Sequence, residues 1–83
     1  KLSRDEVFLL RSDVRKCEER LEKINDMRDK LAKKLADPAL YEAARIGELE
    51  TWNRKYSEVM EALDRAEAMW LSATEKLEAA TAA

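Results

Sequence analysis

The sequence predicts an all-α fold: an intramolecular antiparallel two-helix coiled-coil hairpin with a short helical turn at the tip. Three observations predict it. First, apolar residues recur at steps of 3 and 4 in two stripes. One runs through Val7, Leu10, Val14, Cys17, Leu21, Ile24, Leu31 and Leu35, interrupted only by Arg28. The other runs through Leu49, Trp52, Tyr56, Val59, Leu63, Ala66, Trp70, Ala73 and Leu77. Second, the chain has one proline, Pro38, and one glycine, Gly47, and both lie between the stripes. Third, the halves differ in charge. Residues 1–36 hold eleven basic and eight acidic side chains, and residues 37–83 hold five and ten. A chain of net charge −2 is therefore two segments that attract each other. Folding about residue 40 mirrors the stripes layer by layer: 31 faces 49, 24 faces 56, 17 faces 63 and 10 faces 70. Each pair adds to 80, and this is the predicted register.

The elements follow in order. Ser3 and Glu6 have capping-box spacing, so the first helix starts near residue 4 and runs to about Ala36, roughly 50 Å. Asp37 and Pro38 read as N-cap and first position of a helical turn over 38–43. The residue before proline is pushed out of the helical region, which ends the first helix. The chain is expected to reorient within Ala44–Gly47, with Gly47 as the soft point. The second helix then spans about 47–80, with seam residues to Leu77 and a fraying alanine-rich tail.

The predicted register sets the expected neighbours. Arg11 faces Glu67, Lys34 faces Glu48 and Glu6 faces Lys76. Each exposed pair is worth only ~0.2–1 kcal/mol, but together they specify the pairing. Arg28 falls opposite Trp52, as a stem covering the indole or as a register-fixing or ligand-contacting arginine. Trp70 is expected to fill the layer with Leu10 and to anchor the hairpin. Phe8, Leu9 and Leu71 lie off the seam near the open end and read as a docking patch for another domain.

Much chemistry is excluded. The single glycine rules out a glycine-rich phosphate loop, and without histidine there is no Ser-His or Cys-His pair. The carboxylates interleave with basic residues at helical spacing and read as solvated faces. Cys17 lies on the seam as a small apolar residue. This chain is expected to be no enzyme, to bind no metal and to carry no cofactor. No apolar run approaches the ~20 residues of a membrane span, and no signal pattern opens the chain, so a cytoplasmic monomer is expected.

One flank carries a signal. Lys16, Arg20, Lys23, Lys30 and Lys34 recur on one side of the first helix over roughly 27 Å, with Met27 in the gap. Lys55 and Arg65 of the second helix project from the same side, diluted by Glu48 and Glu58. The opposite side carries Glu22, Asp29, Glu50, Asp64 and Glu67. These seven cations are the candidate nucleic-acid-binding residues, able to follow phosphates without reading sequence. No aromatic residue is interleaved among these cations, so base stacking is not indicated. An ordinary solvated coiled-coil surface is the alternative.

The run Lys1-Leu2-Ser3 with Glu6, the tip Leu35-Ala36-Asp37-Pro38-Ala39-Leu40-Tyr41, and Trp70-Leu71 with Glu75 and Glu78 resemble the C-terminal domain of ABC-F ATPases of the Uup type. The likeness spans nearly the whole chain. It implies a coiled-coil accessory arm of a bacterial ATPase with two tandem nucleotide-binding domains, the parent binding ATP and Mg. ABC-F proteins generally act on the ribosome as translation factors, and in Uup-type members this arm is associated with DNA binding. The expected partners are nucleic acid, either DNA or ribosomal RNA, and the parent ATPase domains. Two alternatives stay open: a spacer or protein-interaction arm docking on the parent ATPase, and an RNA-binding hairpin arm like those of some tRNA synthetases.

Overall fold

The computed structural model describes residues 3–82. Lys1 and Leu2, which open the resemblance, lie outside them, as does Ala83. Two helices, α1 (Arg4–Leu35) and α2 (Ile46–Thr81), form an antiparallel hairpin of 63 × 15 × 14 Å. Two 3-10 turns, Pro38–Tyr41 and Ala43–Arg45, join them. No helix among the described residues is long and apolar enough to cross a membrane.

The capping box starts α1 as predicted. The Glu6 backbone N–H donates to Ser3 Oγ at 3.2 Å, and the Ser3 N–H reaches back to Glu6 Oε1 at 3.5 Å. Asp5 and Glu6 in the first turn, and Lys33 and Lys34 in the last, complement the helix dipole. Asp37 caps the first tip turn, accepting from the Ala39 N–H at 3.0 Å. Tyr41 then donates its hydroxyl to the Leu35 carbonyl at 2.6 Å, tying the turn to a free carbonyl at the end of α1. Leu40 is fully buried beneath this tip.

The tip departs from expectation at Gly47. That residue lies inside α2, has ordinary negative φ, and nothing would meet a Cβ there within 4 Å. The chain reorients instead at Asp37 (ψ 115°) and Glu42 (ψ 143°), two extended residues flanking the first 3-10 turn. At the other end α2 continues to Thr81, one residue beyond the expected bound. The Thr81 hydroxyl donates to the Leu77 carbonyl at 2.9 Å, and Ala80 is half-buried.

Both stripes form the seam. All nine of its positions from Val7 to Leu35 are half-buried, and Val59, Leu63 and Ala66 are buried opposite them. The register, however, is one heptad from the predicted one. Three side-chain pairs cross the seam: Arg20 with Met69, Glu18 with Trp70, and Lys34 with Trp52. Their residue numbers add to 89, 88 and 86, so the layers sum to about 87 rather than 80 and the mirror lies near residue 44. At the predicted register Glu18 and Trp70 would stand about 12 Å apart along the axis. Stripes of heptad period superimpose again after a shift of seven, so periodicity does not choose between the two registers. In the observed register Trp70 comes level with Cys17, and Ala66 with Leu21.

The shift dissolves the predicted ion pairs. Glu6 serves the cap, Glu48 pairs with Arg45 beside the tip, and Lys34 lies over Trp52. Neither Arg11–Glu67 nor Glu6–Lys76 forms an ion pair among the described residues. Arg28 turns away from Trp52 and donates through Nη2 to Asp29 Oδ1 at 3.1 Å. Trp70 is half-buried and lines a groove with Leu21, rather than closing a layer with Leu10.

Candidate nucleic-acid interface

Residues one before and one after a seam position lie on opposite flanks of a helix, because each step turns about 100°. On α1, Lys16, Arg20, Lys23, Met27, Lys30 and Lys34 each precede a seam position, and on α2 Lys55, Arg65, Met69 and Lys76 do. The antiparallel pairing brings these two sets to one side of the hairpin. Lys16, Arg20 and Lys76 line one cleft with Met69 near the open end. Lys30 and Lys55 line a second cleft with Met27 and Trp52 near the tip. Lys23 and Arg65 are exposed and lie on the same flank by helical position. The far flank holds Glu18, Glu22 and Glu67 around a third groove, with Asp29, Asp64 and Glu50 in equivalent positions.

Asp13 and Glu58 also line the first two clefts, but the cations of the flank form no ion pair among the described residues. Among the described residues the ion pairs are Arg28–Asp29 and Arg45–Glu48, and neither involves a cation of this flank. Arg20 directs Nη1 at the Met69 sulfur, 3.6 Å away. The ammonium groups of Lys34 and Lys55 stand 5.4 and 4.8 Å from the centre of the Trp52 ring. Such exposed cation–π contacts are worth about 0.5–1 kcal/mol, weak enough to exchange for a phosphate. Arg45 is different. Its hydrogen bond to Glu48, with Asp37 and Glu42 nearby, raises its pKa above the ordinary value and holds it to the acidic tip.

All seven predicted cations therefore share one flank, and three residues join them that the sequence reading left out. The predicted register pairs Lys76 with Glu6 and sets Trp52 against Arg28, and it gives Met69 no part in the stripe. The flank of all three is the same in either register, because a shift of seven keeps each residue's place around the helix; the register sets which cations of α1 they meet. The predicted apolar patch does not assemble. Phe8 and Leu9 are exposed by 63% and 61%, but they follow and precede seam positions respectively and so point to opposite flanks. Leu71 lines the third groove beside Glu18 and Leu21, about 10–12 Å from Phe8 and Leu9 along the axis.

Compared with known proteins, the chain matches no family model, no curated protein and no solved structure.

Proposed function

We propose that the hairpin is an arm that contacts nucleic acid, DNA or ribosomal RNA, through its basic flank. The observation that supports this most is a row of cations along one side without carboxylate partners, set against an acidic opposite side. Phosphates meeting that row release counterions, and the contact is independent of base sequence. The arm is further proposed to be the C-terminal accessory domain of a cytoplasmic ABC-F ATPase of the Uup type. This rests on the Leu-Ala-Asp-Pro-Ala-Leu-Tyr tip and the Trp70-Leu71 pair. In that setting the parent domains bind ATP and Mg, and this chain serves as a monomeric arm.

A second reading, a spacer that docks on its parent, draws on the exposed Phe8 and Leu9 at the open end. Charge reversal separates the two. Replacing Lys23 and Lys30 with glutamate abolishes salt-dependent binding to a short duplex and leaves helicity intact. Replacing Arg11 and Arg15, on the other flank, leaves binding within about twofold. Unchanged affinity after the Lys23/Lys30 reversal leaves the spacer reading in place.

A further inference from the structure

We infer that the cleft around Trp52 binds an unpaired nucleotide, making single-stranded nucleic acid the preferred ligand of the basic flank; the inference rests on the nucleic-acid reading above. The cleft has a volume of about 360 Å³. That is within the range of small-ligand sites, about 300–1,000 Å³. Its lining is apolar at Met27, Leu31, Val59 and Trp52, and Lys30 and Lys55 line it as well. Lys34 lies over the same indole from α1. Phosphate alone needs no apolar lining, and an apolar ligand alone gains nothing from three lysines. A nucleotide supplies both halves: a flat base for the indole and methionine surface, and an anionic phosphate for the ammonium groups.

A base inside a duplex is stacked on both faces and cannot enter such a cleft, so the ligand must offer a base free of pairing. Binding moves Lys34 and Lys55 from the indole to the phosphate and leaves the indole to the base. Both exchanges replace an exposed cation–π contact with a stronger one. Glu58, which also lines the cleft, disfavours phosphate on its own side and leaves the side of Lys30 and Lys34 as the path of the backbone.

The test compares an oligothymidylate of about 16 nucleotides with an abasic strand of the same length and charge. The wild-type chain should bind the thymidylate strand about 5- to 150-fold more tightly. In a Trp70→Phe background, where Trp52 is the only indole, the thymidylate strand should quench its fluorescence and the abasic strand should not. Trp52→Leu should remove the preference while keeping salt-dependent binding to both strands, and Trp52→Phe should restore part of it. Circular dichroism confirms that each variant is folded, and the wild-type comparison stands without any variant. Equal, salt-dependent binding of the two strands overturns the inference and leaves the phosphate-contact reading intact. Absence of salt-dependent binding to both strands and to a duplex overturns both.

Discussion

The indole N–H of Trp70 donates to the Glu18 carboxylate across the two helices, with 3.4 Å between Nε1 and Oε2. That pair fixes which layers meet. Trp70 should give nuclear Overhauser contacts to Leu21, which lines the same groove. Cys17 should give none to Leu63, which lies about 10 Å further along the axis than the alternative register would put it. Cys17–Leu63 contacts would restore the mirror about residue 40.

The half-burial of Trp70 reorders the expected energetics. Leu63 is 4% exposed and sits in the middle of the seam. Leu63→Ala should cost about 3 kcal/mol, the usual range for emptying a core leucine site. Trp70→Ala should cost less, about 2 kcal/mol, because part of the indole is already in water. Urea unfolding of the two variants gives the order directly, and a costlier Trp70→Ala would show the indole to be the dominant anchor.

At the tip, Leu40 is the most buried side chain among the described residues, with 0% exposure. Leu40→Ala should cost about 2–4 kcal/mol despite its place in a connecting turn. Tyr41→Phe removes the bond to the Leu35 carbonyl and should cost about 0.5–1 kcal/mol, since the released carbonyl finds water. Melting temperatures of the two variants check both values.

Two substitutions should stabilise the hairpin. Gly47 is helical and faces open space, so Gly47→Ala should gain about 0.5–1 kcal/mol. The Thr74 hydroxyl is buried without a hydrogen-bond partner, so Thr74→Val should gain about 1 kcal/mol. The sites are roughly 40 Å apart on one helix, and the double variant should show the sum of the two gains in a denaturant titration.

Salt dependence measures how much of the basic flank is used. If five of its cations meet phosphates, log affinity should fall with log salt with a slope of about −4 to −5 on duplex DNA and about −3.5 on a single strand. A slope near zero in a binding isotherm series would remove the electrostatic footing of the interface.

The sequence reading reached as far as single-helix arguments go. Lys16 through Lys34 lie on one flank of α1 whatever its partner does, so the stripe was legible from spacing alone. The capping box and the Asp37-Pro38 turn are local as well, and both are observed. Trp52 and Lys76 join the basic flank only through the pairing of α1 with α2. That pairing repeats every seven residues, so the stripes alone do not say which repeat is used. Gly47 misled for a related reason. Glycine permits a bend without requiring one, and the extended backbone at Asp37 and Glu42 had already turned the chain.

The long, thin shape of the hairpin makes its mechanical strength depend on direction. Arg4 and Thr81 emerge at the same end, and the only covalent link between the helices is at the other. A force that separates those two ends peels the seam one layer at a time, opposed at each moment by a single layer. A force between the tip and the open end loads every layer together in shear. The same seam is therefore compliant as a clasp and stiff as a strut, and unfolding under tension should need far less force in the first geometry than in the second.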